Sequence, residues 1–204
     1  MVIGRAESER LLEMKFVVDT SVFTNPDTYK PFGESPDAAA AAFFRHAAKT
    51  PHEMYMPRTI KRELDHFVSP KTADFVDHHC VVRSPSRHEL FIPASLFYEF
   101  VEEMRVRIDR GLRVAEKAAR TMSKEDVRAL REQYRDSLRH GIIDSKEDMD
   151  IILLAREIGG NVISADEGVR KWADKLGLRV MDPTRLKAIF GTGSDWNPNP
   201  KNQS

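Results

Sequence analysis

Apolar positions along this chain follow two rhythms. Short unbroken runs, Phe16-Val17-Val18 first among them, alternate with longer stretches whose apolar residues recur every three or four positions. The first rhythm is that of a buried strand, the second that of a helix with one face turned inward. Strands are expected at 15–19, 53–56, 81–83, 161–164 and 178–181. Helices are expected at 38–48, 59–67, 74–80, 144–158 and 167–176, with a last one running from Pro183 to 190. Asp37 is expected to cap the alanine-rich helix, and Thr59 the helix after Pro57. Gly159-Gly160 is a helix stop rather than a phosphate loop. Strands alternating with helices imply an α/β fold with a central, mostly parallel sheet flanked by helices. No internal repeat is visible.

Residues 93–140 break this alternation. They are rich in Arg, Glu and Leu, contain no proline after Pro93, and read as two long helices over 94–121 and 124–140. Ser123 is a suitable N-cap for the second, with Asp126 at the capping-box position, and Gly141 ends it. Such a hairpin inside an α/β domain is an insertion, and insertions often carry specificity. The expected organisation is a domain built from 15–92 and 141–190, an inserted helical hairpin at 93–140, and flexible ends at 1–14 and 191–204. Met14, directly before the first strand, is a candidate initiator.

The candidate chemistry lies in the acids. Asp19 ends the first apolar run, and Asp166 follows Val162-Ile163-Ser164, so each stands just past the carboxyl end of an expected strand. Ligands of open α/β sheets bind at that edge. Asp144 and Asp148 are one helical turn apart where the next helix starts. Asp150 immediately precedes the apolar run 151–155; on a helix it faces away from Asp144 and Asp148, which ranks Asp148 above it while leaving both open. Glu147 reads more simply as a macrodipole partner. Four carboxylates brought together repel one another unless a cation neutralises them. Oxygen donors suit Mg²⁺ or Mn²⁺, and such ions held by carboxylates act on phosphate esters.

A strand ending Val18-Asp19-Thr20-Ser21, an acidic helix start at 144–150, and Ser164-Ala165-Asp166-Glu167-Gly168 together resemble the PIN-domain nucleases. Glu63 matches the acid these domains often carry after the second strand. A narrower resemblance runs from 15 to 190. Asp19-Thr20-Ser21-Val22-Phe23-Thr24-Asn25-Pro26, Tyr55-Met56-Pro57, the segment Gly141 through Asp150, and Ser164 through Gly168 are similar to the HARP family of small protein-only RNase P enzymes, once labelled RNA-ligase partner proteins. The helical insertion matches as well. The resemblance implies a PIN-like metallonuclease that removes the 5′ leader of precursor tRNA and leaves a 5′ phosphate and a 3′ hydroxyl. It implies Asp19, Asp144, Asp148 and Asp166 as metal-binding catalytic residues, with Asp150 and Glu63 as further candidates. Mg²⁺ is the implied cofactor, Mn²⁺ a substitute, with no RNA subunit. A large homo-oligomer assembled through the hairpin is also implied. The alternatives are a PIN ribonuclease on another structured RNA and a non-catalytic RNA-binding scaffold.

Two basic stripes run along the hairpin. Arg113, Lys117, Arg120 and Lys124 fall at helical spacing, as do Arg128, Arg131, Arg135 and Arg139. Arginine suits bidentate phosphate contact, and phosphate contacts fix register without reading sequence. Acids on the same helices, as in the pairs Asp109 with Arg113 and Glu116 with Arg120, offer a plainer reading as solvated ion pairs. Leu96, Phe97, Phe100, Val101 and Met104 make an apolar stripe for the core or a subunit contact.

Composition narrows the field. The chain has 204 residues with 32 basic and 32 acidic side chains, which argues against a uniformly basic binder and says nothing about local patches. The single Cys80 excludes an internal disulfide and a multi-cysteine zinc site, and a reducing cytoplasm is the expected setting. No run approaches the roughly 20 apolar residues of a membrane span. The histidines are scattered, and adjacent His78, His79 and Cys80 do not all face one metal. Trp172 and Phe190 read as core.

Overall fold

The computed structural model describes residues 13–121, 130–132, 134 and 145–185. Five parallel strands form its sheet in the order β3-β2-β1-β4-β5: β1 (Lys15–Val18), β2 (Glu53–Met56), β3 (Val81–Val82), β4 (Asn161–Ile163) and β5 (Val180–Met181). β1 lies at the centre, Val17 opposite Tyr55 on one side and Val162 on the other. Neighbouring Val17 and Val18 point to opposite faces of the sheet, and both are wholly buried. Both faces are therefore covered, which is why this strand reads as an unbroken apolar run rather than an alternating one.

The connecting helices are α1 (Ser21–Thr24), α2 (Pro26–Tyr29), α3 (Pro36–Ala47), α4 (Arg58–Leu64), α5 (Pro70–His79), α6 (Ala94–Thr121), α7 (Lys146–Ile158) and α8 (Glu167–Lys175). α7 packs Ile151, Ile152, Leu154 and Ala155, all fully buried, into the centre of the core beside β1 and β4. It ends at Gly159, whose φ of 63° is the left-handed conformation that favours glycine. The Gly160 N–H then bonds to the Ala155 carbonyl at 2.8 Å, closing the helix. A side chain at Gly160 would press on the Lys15 carbonyl at 3.1 Å, so this turn is also where helix and central strand meet closely.

Several helix starts differ from expectation. α3 is capped by Ser35, whose Oγ accepts from the Ala38 N–H at 3.2 Å, because Pro36 occupies the first helical position. Asp37 instead accepts from the Ser69 N–H at 2.7 Å and ties α3 to the start of α5. α5 begins at Pro70 rather than 74. α4 begins directly after Pro57, and Thr59 turns its hydroxyl to Asp150 rather than capping the helix. α7 begins at Lys146 with Ser145 as its cap, so the expected start at 144 is two residues early. A 3₁₀ turn, Pro183–Arg185, follows β5, and residue 190 lies outside the described residues. Trp172 is core as expected, 3 % exposed.

α6 has the expected bounds. Its first turns rest on α8: Leu96 is buried, Phe100 meets Trp172 edge-on, and Glu103 accepts from Lys171 (2.9 Å), Lys175 (3.0 Å) and Trp172 Nε1 (3.2 Å). On the same helix Phe97, Val101, Ile108 and Leu112 are exposed. A side chain at Gly111 would strike the Tyr134 ring at 2.7 Å, so glycine lets the helical residue Tyr134 approach α6 closely. The remainder of the expected second hairpin helix lies outside the described residues. Among those described, no helix is long and apolar enough to cross a membrane.

Candidate active site

The strand order places a switch point at β1. The chain steps outward from β1 through β2 to β3, then returns to the other side of β1 as β4. Crevices at such points, beyond the carboxyl ends of the strands, are where open α/β sheets bind ligands. Asp19 stands there: its N–H bonds to the Ile163 carbonyl at 3.0 Å, prolonging the β1–β4 pairing by one step.

The Asp19 side chain is 5 % exposed and held by hydroxyls. Ser21 Oγ (2.5 Å) and Ser164 Oγ (2.6 Å) both donate to Oδ2, and the Ser21 N–H (3.3 Å) and Thr20 Oγ1 (3.4 Å) donate to Oδ1. The serines are themselves fixed. Ser21 Oγ accepts from the Ala165 N–H at 2.9 Å, and Ser164 Oγ accepts from the Asp166 N–H at 3.0 Å. The ends of β1 and β4 are thus stitched together around one carboxylate. Among the described residues no cation pairs with it. Burial pushes its pKa up, Asp166 adds to that, and the bonds from Ser164 and Ser21 pull the other way without cancelling it. A carboxylate raised by burial at a cleft is a marker of function.

The other acids arrive on helix ends. Asp166 caps α8, its Oδ1 accepting from the Val169 N–H at 2.8 Å. This capping bond uses Oδ1 and leaves the carboxylate at the cavity wall. Ser145 accepts from the Asp148 N–H at 3.0 Å, which starts α7 and puts Glu147 and Asp148 in its first turn. Glu63 comes from the last turn of α4. Asp19, Glu63, Glu147, Asp148 and Asp166, with Thr20, Ser21, Thr24 and Ser145, line one cavity of about 330 Å³. A larger hollow of about 810 Å³ opens between α3 and α5, but Asp37, Asp74, Arg45, Lys71 and His78 there mix both signs of charge.

Of the acids named from the sequence, Asp19, Glu63, Asp148 and Asp166 are brought together, and Glu147, in the first turn of α7 as its macrodipole reading had it, also lines the cavity. Asp144 lies outside the described residues. Asp150 is placed elsewhere: 1 % exposed, it is bound by Arg87 and Thr59 and does not line the cavity. Sequence reasoning assigned no site role to Ser21, Ser164 or Arg87, and read Thr59 only as a helix cap. The first two sit inside the quoted motifs and were legible as hydroxyls beside an acid; the last two act across long separations and had no local signal. Of the hairpin cations, Arg113 pairs with Asp109 at 2.8 Å as the plainer reading had it, both side chains exposed. Lys117 and Arg131 are also exposed. Nothing is described of the side chains of Arg120, Lys124, Arg128, Arg135 and Arg139.

The donor set fits a hard divalent ion. Every polar group lining the cavity is an oxygen, most are carboxylates, and the lining has no thiol or imidazole. Among the described residues no group of three or more acidic, histidine or cysteine side chains stands close enough to hold one ion. That is compatible with Mg²⁺, which usually keeps several waters and takes one or two carboxylates from the protein.

A parallel sheet with acids gathered at its switch point defines a metallonuclease of the PIN class, and the sequence comparison agrees: residues 15–192 match the PINc domain ribonuclease family. Curated relatives named RNA-free ribonuclease P occur in Thermodesulfovibrio yellowstonii (46 % identity, 85 % of this chain and 91 % of the relative), Pyrococcus horikoshii (44 %, 87 % and 91 %) and Halorhodospira halophila (43 %, 86 % and 89 %). This chain belongs to that RNA-free ribonuclease P family.

Proposed function

We propose that this protein is an endoribonuclease that removes the 5′ leader of precursor tRNA without an RNA subunit, leaving a 5′ phosphate and a 3′ hydroxyl. The observation that carries the chemistry is the acid-lined cavity at the β1–β4 switch point. The substrate comes from the relatives' shared name. Asp19, Asp148 and Asp166 would hold divalent ions, with Asp144 expected to complete the set and Glu63 to assist. When bound, such ions offset the charge building on the scissile phosphate and make water nucleophilic at neutral pH. Mg²⁺ is the ion we assign, with Mn²⁺ as a substitute.

The chain's own residues supply position and charge. Ser21 and Ser164 hold the Asp19 carboxylate in a single orientation through two short hydrogen bonds. The Ala165 and Asp166 N–H groups that donate to them tie this geometry to the segments just past the ends of β1 and β4. The cap bond to Val169 does the same for Asp166. Unneutralised, this cavity repels phosphate, so substrate binding and ion binding are coupled in sign. The cations expected along the helical insertion would grip the RNA backbone by shape, as recognition of an A-form helix requires. The hairpin's exposed Phe97, Val101, Ile108 and Leu112 are the surface we assign to contacts between copies of this chain in a homo-oligomer. Cys80 is a free, buried thiol, in keeping with a cytoplasmic setting.

Incubation of end-labelled precursor tRNA with the purified protein in Mg²⁺ and in EDTA tests this reading. A single cut at the mature 5′ end, lost in EDTA, is expected. Cutting at another position, or cutting that survives EDTA, would remove the proposal.

A further inference from the structure

Asp150 lies on α7 two positions past Asp148, yet its carboxylate is committed elsewhere. Oδ1 accepts from Arg87 Nε (3.0 Å) and Nη2 (2.8 Å), and Oδ2 accepts from Arg87 Nη2 (2.6 Å) and Thr59 Oγ1 (3.1 Å). Thr59 belongs to α4, one turn before Glu63. A single buried carboxylate therefore fastens the helix that carries Glu63 to the helix that carries Asp148. The two-pronged arginine contact fixes its plane as well as its place.

Arg87 is anchored in turn. It sits on the loop after β3, and that loop is tied to α7 a second time. The Ser86 N–H (2.8 Å) and Ser86 Oγ (3.2 Å) donate to Glu157, and Arg83 pairs with the same carboxylate. Glu157 lies seven residues beyond Asp150, about two turns along the helix. The loop therefore runs beside α7 as a brace held at two points. Across the cavity, Glu63 and Asp148 carry like charges on separate helices, and their repulsion opposes the approach of α4 to α7.

We propose that Arg87, Asp150 and Thr59 act as a positioning clamp: they set the placement of Glu63 relative to Asp148 and thereby the cavity's affinity for a divalent ion, with Asp150 not itself a ligand. The inference rests on the reading of the cavity as a divalent-ion site for phosphodiester hydrolysis. It gives Asp150 a role that needs both its charge and its burial, and it gives Arg87 a role in a reaction it does not touch.

Titration of the full-length protein with Mn²⁺ alone, following the paramagnetic resonance signal of free ion, tests it without recourse to activity. Wild type should bind Mn²⁺, and Asp148→Asn should weaken binding by about tenfold or more. Arg87→Lys keeps the charge but loses the fork, and Thr59→Val keeps the shape but loses the hydroxyl. Each should weaken Mn²⁺ binding about three- to tenfold with unchanged circular dichroism. Each should raise the Mg²⁺ midpoint for cleavage by the same factor while KM for precursor tRNA stays within twofold. A purely structural role would lower Tm and leave that midpoint in place at 25 °C, which overturns the clamp. Tighter Mn²⁺ binding in Arg87→Lys also overturns it, since freeing Asp150 would then have supplied a ligand. A wild type that binds no Mn²⁺, or an Asp148→Asn variant that binds it equally well, overturns the underlying cavity reading instead.

Discussion

Among the described residues two aspartates, Asp19 and Asp150, are almost wholly buried, in opposite surroundings. Asp150, 1 % exposed, has an arginine fork on its two oxygens and a threonine hydroxyl besides. Asp19, 5 % exposed, has serine and threonine hydroxyls, one backbone N–H, and the negative charge of Asp166 nearby. The first is electrostatically complete within the described residues; the second is not. Burying an unpaired charge costs several kcal/mol, and a fold retains such a cost where a function requires it. Burial alone therefore does not mark a site. Burial without a counter-charge, at the carboxyl edge of a sheet, does.

Breaking each side of this contrast gives the largest expected effect first. Asp19→Asn should lower kcat by about 10³-fold or more, since several kcal/mol of transition-state stabilisation go with the ion. Its metal-free stability should hold or rise by about 1 kcal/mol at pH 7, or about 2–4 °C in Tm. The sign follows from the raised pKa. Ionised Asp19 costs stability above its ordinary value of 3.8, and the cost is relieved as pH falls through the raised folded value. Calorimetry in EDTA beside single-turnover cleavage reads both quantities; a large fall in Tm would make Asp19 structural.

Arg87→Ala should do the reverse. It leaves the buried Asp150 carboxylate without its counter-charge and should lower Tm clearly. Asp150→Asn should cost less, about 1–2 kcal/mol, because the Arg87 it leaves behind is 52 % exposed and returns to water. Equal losses in thermal melts would contradict the asymmetry.

A smaller effect depends on pH. The Ser86 backbone N–H, with Arg83 and the Ser86 hydroxyl, holds the Glu157 carboxyl below its ordinary 4.5 against the opposing push of burial. That stability is present above pH 4.5 and is lost as pH falls through the folded value. Glu157→Gln should therefore be about 1 kcal/mol less stable than wild type at pH 7, with the gap closing as pH falls through the folded value. Denaturant melts across that pH range would show whether the gap closes.

The smallest expected change is on the hairpin. Replacing Arg128, Arg131 and Arg135 together with alanine should weaken precursor-tRNA binding and reduce the slope of log K against log salt by about 2. An unchanged slope would assign these residues to ion pairs of the kind Arg113 makes with Asp109.

The contrast between Asp19 and Asp150 also shows what a sequence can and cannot tell. Asp19 was legible because its oddity is local: an acid ends an apolar strand and has no helix of its own to cap. Asp166 was legible because it too follows an apolar strand, although it also caps α8, and the bounds of β2 and α6 follow directly from Pro57 and from the long helical pattern after Pro93. Asp150 stayed open beside Asp148 because its partner, Arg87, is 63 residues away, and only the fold brings them together. Thr59 was read as a cap for want of any sign of Asp150, 91 residues on. The starts of α3 and α7 shifted because Ser35 and Ser145, rather than the neighbouring acids, supply the cap oxygens. Local chemistry gave the acids; long-range pairing decided which of them are free to act.

Affinity cleavage tests most directly that acids far apart in sequence share one ion. Fe²⁺ exchanged into the purified protein and treated with peroxide cuts the backbone near the ion, and mass spectrometry locates the cuts. Cuts should cluster around Asp19, Glu63, Asp148 and Asp166 and vanish in Asp19→Asn or with excess Mg²⁺. Cuts gathered around Asp150 and Arg87, or cuts near Asp19 that persist in excess Mg²⁺, would contradict a shared ion site at the end of β1.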